Sequence, residues 1–417
     1  MTLNKSKATI IMPIRMNAMD ANKLLGKKLT RHFSMIQAIY IMGYCSIYSY
    51  AAVFLLARGF TNSQVGLTLT LSSVMGLLVQ PIVASFADKT KKFSLRSIVA
   101  VMLLGMIFFA LLLFIIPRPV LGVGILYMIL LTFFATQVPL VTTMSMDHIN
   151  NGVPINFSLA RGIGSFAYAI LSIGLGYLVD DFGAGVIMLV NIALGLLGIA
   201  LVLSFQKAKR SGDDGVEDEV KPTGLLEFAK NNKRFMLVVA SISILFFSHV
   251  TISTFMIQII ETVGGSSADM GMANSVAAIV ELPAMALFPL LYKKFHNAGL
   301  LMKVSGVAFL IKTAVTLVAP SVFWVDAAMS LQFFAYAMFI PASVFYVNEV
   351  ISGADQNKGQ ALMGMVMGIS GLLGNILGGL MLDSRGGVPF MLTVGLGVSL
   401  AGFVMLIMID RSKKVIR

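Results

Sequence analysis

Three ionisable side chains lie inside stretches of this sequence that are otherwise apolar enough to cross a bilayer. They are Arg161, Glu281 and Lys312. A charge near the middle of a membrane costs about 2.5 to 3.5 kcal/mol, so each of these residues needs a water-filled cavity, a partner charge or a polar ligand. Such an environment is typical of transporters, and transport of a polar solute is therefore the first hypothesis.

Arg161 and Tyr168 are seven residues apart in one apolar run. That spacing is about two helical turns, so both side chains share one helix face. A guanidinium group donates planar pairs of hydrogen bonds, and an aromatic ring packs against the apolar face of a sugar or a base. This face is predicted to bind a polyhydroxyl solute or an anion. The alternative is that Arg161, about one turn inside its helix, extends to the membrane surface.

Glu281 lies near the middle of its apolar run, and Asn274 lies about two turns away on the same face. Lys312 lies in the next run, at a similar distance from the loop that joins the two. Two roles remain open for the charged groups: a structural ion pair, or a site that binds substrate and exchanges protons as access to the cavity changes. Weaker polar candidates in other runs are Tyr40, Tyr44, Tyr48, Thr132, Thr136, Gln137, Thr143, His249, Gln258, Gln332, Tyr336 and Asn375. Ordinary helix packing is the alternative for those that carry a small hydroxyl group.

The elements that must position these residues are membrane-spanning helices. Hydrophobic residues make up 57% of the 417 positions and charged residues only 12%, against roughly 25% charged in a soluble domain. Apolar runs near the length of a bilayer crossing predict an all-α polytopic membrane protein with twelve spans. The predicted limits are 33–57, 63–87, 97–117, 120–146, 157–180, 184–206, 235–260, 268–291, 299–319, 321–348, 358–382 and 388–409.

One long polar segment divides the twelve spans into two sets of six. The predicted organisation is a cytoplasmic N-terminal segment (1–32), an N-terminal six-helix bundle (33–206), a flexible cytoplasmic linker (207–234), a C-terminal six-helix bundle (235–410) and a cytoplasmic tail (411–417). Lysine and arginine gather in the first segment, after the second span and in the tail. By the positive-inside rule both termini are cytoplasmic. Topology therefore explains the net charge of +12, and no nucleic-acid partner is expected.

Several kinds of chemistry have no support in the sequence. Cys45 is the only cysteine, which excludes disulfides and thiolate metal sites. The sequence contains no HExxH motif, nucleophile elbow or P-loop, and its four histidines are dispersed. The protein is therefore not expected to be an enzyme, and no cofactor or metal is expected.

The two halves share a short pattern. Gly176, Asp180 and Gly183 follow the fifth span as GxxxDxxG, and residues 379–386 repeat that pattern after the eleventh span. The starts of the second and eighth spans also match, with a glycine at Gly66 and at Gly271. Both offsets are close to half of the chain. This indicates a duplicated six-helix unit whose copies meet at a central cavity.

Residues 80–89 resemble the loop between the second and third spans of the major facilitator superfamily. That loop carries an acid and bases at the membrane edge, here Asp88, Lys89 and Lys92, which the resemblance implies form a cytoplasmic gate. The Gln80-Pro81 pair ahead of Asp88 looks like the lactose-permease branch. The resemblance implies the major-facilitator fold, with two bundles of six helices.

Further residues are similar to the binding site of that branch. Arg161, Gly164 and Tyr168 resemble its sugar-binding helix, in which an arginine hydrogen-bonds the sugar and an aromatic residue stacks on it. Glu281 falls where the family has a sugar-binding glutamate, and Lys312 falls where it has a coupling arginine. The resemblance implies that a sugar, glycoside or nucleoside is carried together with protons.

The sequence also departs from that family. Residues 331–339 contain no counterpart of its tenth-span lysine, histidine and proton-carrying glutamate. Its paired aspartates in span seven and its lysine in span eleven are replaced near His249 and Gly371. Loss of both members of a pair is electrostatically consistent, because removal of one alone would leave a buried charge unpaired. Glu281 is therefore predicted to carry any proton coupling.

Together these observations predict a permease of the cytoplasmic membrane that moves a small polar solute by alternating access. Its predicted substrate-binding residues are Arg161, Tyr168, Asn274 and Glu281, with Glu281 and Lys312 as the coupling or ion-pair site. Its partners are the solute, protons and the lipid bilayer, and a monomer is expected. Efflux of drug-like compounds or sugars by the same fold is an alternative, and a membrane receptor without transport is another.

Overall fold

The computed structural model describes residues 5–90, 92–115, 120–208, 225–351 and 355–410, without the side chains of residues 5–21, 88, 225, 226 and 357. The described part of the chain is helical and has no strands. Its spans, numbered in chain order, have these bounds: Lys5–Tyr44, Cys45–Ser49 and Ala51–Ala57 (span 1); Asn62–Lys89 (2); Leu95–Ile115 (3); Val120–Asn150 (4); Phe157–Phe182 (5); Val186–Ser204 (6); Lys233–Leu245, Phe247–Thr254 and Met256–Thr262 (7); Ser267–Phe295 (8); Ala298–Leu317 (9); Val322–Ser330, Leu331–Phe333 and Tyr336–Val350 (10); Gln356–Gly364 and Val366–Asp383 (11); Gly387–Ile409 (12).

Helix length and hydropathy confirm the predicted number of spans. Within the described ranges, 11 helices are long and apolar enough to cross a membrane, and span 1 is a bent pair that brings the number to 12. An apolar helix of about twenty residues is the element that satisfies its own backbone hydrogen bonds in lipid. The predicted all-α polytopic fold is therefore confirmed.

Span 1 begins earlier than the predicted boundary at residue 33. Its helix runs without interruption from Lys5 to Tyr44, and Leu29 is buried in the core of the N-terminal bundle. The backbone N–H of Asn156 donates to Thr30 Oγ1 at 3.0 Å, and Gly26 leaves room for the Pro154 carbonyl. These contacts with the loop before span 5 extend the helix beyond its apolar stretch. Most of the predicted linker 207–234, and all of the tail 411–417, lie outside the described residues.

Four spans consist of more than one helix, and the break in span 11 falls at Met365. Span 1 passes through a π-helical turn at Cys45–Ser49 and bends by 44° before Ala51. Its counterpart, span 7, breaks at Phe246 and Phe255. Span 10 contains a single 3-10 turn at Leu331–Phe333 between two α-helical halves. Discontinuous spans expose backbone and polar side chains at mid-membrane depth, where transporters bind their substrates.

The repeated GxxxDxxG pattern joins the two bundles at the face opposite the linker. Asp180, at the end of span 5, accepts hydrogen bonds from the backbone N–H groups of Ser267 and Ala268 at 3.1 and 3.0 Å. Asp383, at the end of span 11, accepts from the corresponding groups of Asn62 and Ser63 at 3.1 and 2.7 Å. Each carboxylate caps the N-terminus of a helix in the other bundle, where the helix dipole favours a negative charge.

Glycines of the same repeats allow this approach. A Cβ on Gly176 would collide with the Ser267 carbonyl, and one on Gly379 would collide with that of Asn62. Gly66 and Gly271 contact the backbone of spans 11 and 5 in the same way. Small residues at such crossings let helix backbones pack closely in a membrane. The sequence repeat therefore corresponds to a symmetric closure of one face.

We expect Asp180→Asn and Asp383→Asn to weaken this closure. Each substitution removes the charge from two hydrogen bonds to a helix N-terminus; because the groups are exposed, the population closed at this face should fall by roughly fivefold per substitution. Spin labels at Phe182 and Phe323, both exposed at this face, in a Cys45→Ala background would report the change as longer distances in double electron–electron resonance.

Asp181→Asn is the matched control, since Asp181 is an exposed neighbour on the same helix. Unchanged distances in both Asp180→Asn and Asp383→Asn, or an equal change in the control, would contradict the role given to the two aspartates.

Candidate functional site

On the side of the C-terminal bundle that faces the other bundle, three polar side chains form a chain of hydrogen bonds. Lys312 Nζ donates to Gln332 Oε1 at 2.7 Å, and Gln332 Nε2 donates to Glu281 Oε1 at 3.1 Å. Among the described residues, Glu281 and Lys312 form no direct salt bridge. The predicted proximity of acid and base in spans 8 and 9 is therefore mediated by an amide from span 10.

The interruption of span 10 places that amide. Gln332 lies in the 3-10 turn, and the Ala335 carbonyl just beyond that turn accepts hydrogen bonds from the Phe339 N–H of its own helix and from Ser305 Oγ of span 9. Ser305 and Lys312 are seven residues apart, so they lie about two turns apart on one face of span 9. One face of span 9 therefore holds both the interrupted backbone of span 10 and the side chain of Gln332.

His249 and Tyr336 lie next to this chain of polar groups. Their rings stack with centroids 5.3 Å apart, and His249 also contacts Phe309 at 5.2 Å. The buried Nδ1 of His249 has no hydrogen-bond partner among the described residues. A buried polar atom without a partner favours a ligand or water at that position.

The side of the N-terminal bundle that faces the C-terminal bundle is lined by aromatic rings. Tyr44 stacks on Tyr48 with centroids 5.0 Å apart, and Tyr40 stacks on Phe134 at 4.7 Å. Tyr44 also lies 6.5 Å from Tyr168, between ring centroids, and remains 43% exposed. An accessible surface of tyrosine rings offers apolar faces together with hydroxyl groups.

Arg161 and Tyr168 occupy span 5 beside this surface. Tyr168 hydrogen-bonds Ser49 through its hydroxyl at 2.8 Å. Arg161 is exposed and makes no hydrogen bond to a described residue, but it interacts electrostatically with Glu281 and with Tyr336.

Packing between the bundles places Arg161 and Glu281 at one level. A Cβ built on Gly162, the neighbour of Arg161, would lie 3.7 Å from the side chain of Leu282, the neighbour of Glu281. The structure thus places Arg161 and Glu281 at one level on facing helices of the two bundles, with Lys312 buried in the C-terminal bundle behind Gln332.

The remaining predicted residues are placed as follows. Asn274 is half-buried on span 8, and its buried Nδ2 has no hydrogen-bond partner among the described residues. Lys89 and Lys92 are exposed at the face that carries the linker, with Lys92 Nζ 5.8 Å from the centre of the Phe93 ring. The side chain of Asp88 is not among those that the structure describes. The described residues contain no group of three side chains suited to a metal ion.

Gln332 is the residue whose importance the sequence indicated least. It was one weak polar candidate among several, because residues 331–339 contain neither glycine nor proline to signal an interrupted helix there. The available signal was an amide inside an apolar span facing two spans with single opposite charges, for which an amide is a suitable bridge.

Twelve spans in two similar halves, closed at one face by matched contacts around a polar centre, are the architecture of a major-facilitator transporter. The MFS_1-like family model matches residues 34–392, and the chain belongs to that family. It is 23% identical over 334 residues, 78% of this chain and 79% of the relative, to the uncharacterized transporter YwbF of Bacillus subtilis (strain 168). The family and its relatives are transporters and not enzymes.

Solved structures share the fold at low sequence identity. A mutant form of the nucleoside transporter NupG superposes with a TM-score of 0.79 at 14% identity, covering 92% of this chain and 100% of that one. A bacterial homolog of the human lysosomal transporter Spinster, inward-facing and unoccupied, gives 0.66 at 14% identity, covering 92% and 95%. The predicted major-facilitator fold is confirmed.

We expect Lys312→Met to destabilise the protein more than the double substitution Glu281→Gln with Lys312→Met. The single change leaves the Glu281 carboxylate without its cation, at a cost on the order of 3 kcal/mol, whereas the double change removes both charges. Thermal unfolding of the purified protein in detergent, with Glu281→Gln alone for comparison, measures the difference. Equal stability of the single and double variants would contradict an interaction through Gln332.

Proposed function

We propose that this protein carries a small hydroxylated solute with an apolar or aromatic face, a nucleoside first and a glycoside or sugar second. The observation that carries the proposal is the pairing of an accessible tyrosine surface in one bundle with an acid, an amide and a lysine in the other. The likeness to a nucleoside transporter in fold supports the same choice.

Each side of the site matches one part of such a solute. Tyr44 and Tyr168 offer ring faces for a base or for the apolar side of a sugar. Glu281 accepts hydrogen bonds from hydroxyl groups, and the Arg161 guanidinium, which bonds no described residue, donates to ring or carbonyl oxygens. Asn274, whose amide N–H has no partner among the described residues, adds a further donor about two turns away on span 8. The site therefore recognises alternating donors and acceptors on a flat or ring-shaped molecule.

The direction of access follows from the position of the contacts between the bundles. Within the described ranges, the hydrogen bonds that join the bundles link spans 2, 5, 7, 8 and 11 in the half distant from the linker. Their position supports access to the site from the face that carries the linker. The lysine and arginine distribution supports a cytoplasmic location for that face and for both termini. This conformation is then the one in which an imported solute leaves or an exported one enters.

Proton coupling is assigned to Glu281. It is a carboxylate in a span, half-buried, and close to both a cation of its own bundle and a cation of the other. Movement of one bundle against the other changes its distance from Arg161, and so changes the stability of its charged form. Proton uptake and release can thereby accompany alternating access.

We expect Glu281→Gln to abolish uphill uptake of uridine while exchange of uridine down its own gradient continues. The glutamine keeps the hydrogen-bonding shape but cannot carry a proton. Arg161→Ala should weaken both activities by about tenfold or more, as loss of a charge-assisted hydrogen bond does. Proteoliposomes with an imposed pH gradient, compared with counterflow, separate the two activities.

Glu261→Gln is the matched control, because Glu261 is an exposed carboxylate at the opposite face. Uphill uptake that survives Glu281→Gln would refute the coupling role. If the wild-type protein neither binds nor exchanges uridine, a glycoside or a free sugar, the proposed substrate class is refuted.

A further inference from the structure

The amide of Gln332 has only one orientation that suits both of its neighbours. Its oxygen faces the Lys312 ammonium at 2.7 Å, and its nitrogen faces the Glu281 carboxylate at 3.1 Å. The reverse orientation would direct N–H groups at an ammonium and a carbonyl oxygen at a carboxylate. The orientation is therefore set by the two charges, and it aligns the amide dipole between them.

This arrangement separates two charges that would otherwise pair. Lys312 is 2% exposed and so has no access to the cavity, whereas Glu281 is half-buried and faces groups of the other bundle. A direct salt bridge would draw the carboxylate toward the buried lysine. With the amide between them, the ammonium charge still stabilises the carboxylate, which stays at the edge of the cavity.

The 3-10 turn makes this bridge possible. Span 10 continues as an α-helix from Tyr336, and the Ser305 hydroxyl fixes the carbonyl of Ala335 just before that restart. The backbone next to Gln332 is consequently held by Ser305, and the end of its side chain is held by Lys312. Hydrogen-bond donors held in place in this way stabilise charge without reorganising.

We propose that Gln332 is the positioning residue that keeps Glu281 ionised at the edge of the cavity by transmitting the charge of Lys312. The inference rests on the proposed function, in which Glu281 contacts the solute. The neutral phenols of Tyr44 and Tyr336 lie near Glu281, and among the described residues Arg161 of span 5 is the other cation that acts on it. Because Arg161 belongs to the other bundle, Gln332 supplies the stabilisation that persists when the two bundles separate.

Infrared spectroscopy of the full-length protein in liposomes at pH 7, without any solute, tests this directly. In Gln332→Leu a protonated-carboxyl band should appear that is absent from the wild type and disappears again in Gln332→Leu with Glu281→Gln. Lys312→Met should produce the same band, because the amide then has no charge to transmit. The double variant Gln332→Leu with Lys312→Met should give no more than either single change.

Gln137→Leu is the matched control. Gln137 is also a buried glutamine in a span, 1% exposed, but it bonds the Phe133 carbonyl of its own helix. No band dependent on Glu281 in either Gln332→Leu or Lys312→Met, or the same band in Gln137→Leu, would overturn the inference.

Counterflow of uridine adds a functional readout. Gln332→Leu should raise KM by about tenfold, the effect expected when a hydrogen bond to a charged group is lost, with maximal exchange little changed. A change confined to maximal exchange would overturn the positioning role. Failure of the wild type to carry uridine would count against the proposed substrate and leave the infrared result to decide the role of Gln332.

Discussion

A charge inside a membrane-spanning helix has to be stabilised by something other than bulk water, and this requirement organises the centre of the molecule. Lys312 is stabilised by Gln332, and Gln332 in turn donates to Glu281. The chain of groups requires an interrupted span 10, a serine on span 9 to hold the interruption, and spans 8 to 10 in contact. The packing of the C-terminal bundle and the chemistry of its inner wall are therefore consequences of one electrostatic constraint.

The two bundles make equivalent contacts at the closed face but present different side chains at the centre. At the closed face, matched aspartates cap matched helix N-termini, so duplication has preserved a symmetric interface. At the centre, the N-terminal bundle presents tyrosines and an arginine, while the C-terminal bundle presents an acid, an amide and a lysine. Symmetry suits a closure that opens and shuts as a rigid-body movement. Asymmetry suits recognition of a solute whose two sides differ.

Much of the fold was predictable because bilayer thickness constrains helix length, and hydropathy reports it directly. The number of spans follows from that constraint, and the GxxxDxxG repeat anticipated related contacts at corresponding ends. The helix of span 1 begins well before residue 33, because the contacts of Gly26 and Thr30 with the loop before span 5 extend the helix beyond its apolar stretch. Such contacts come from tertiary packing, which local composition does not encode.

The centre was predictable only in part, for a related reason. Single charges in apolar spans identified Arg161, Glu281 and Lys312, but not the amide that joins two of them. The breaks at Tyr50, Phe255 and Gln332 have no glycine or proline at the break itself; Gly43 precedes the π-helical turn of span 1, and Pro341 lies in the second half of span 10. They are stabilised by distant partners, as when Tyr127 donates to the Ile47 carbonyl at 2.6 Å.

A cryo-electron-microscopy structure of the protein with a solute that it carries would show whether Arg161 of one bundle and Glu281 of the other face a single site, with Gln332 behind the carboxylate. We expect solute density in contact with both side chains and beside the ring of Tyr44. Solute bound elsewhere, or either charged side chain directed into the lipid, would contradict this arrangement.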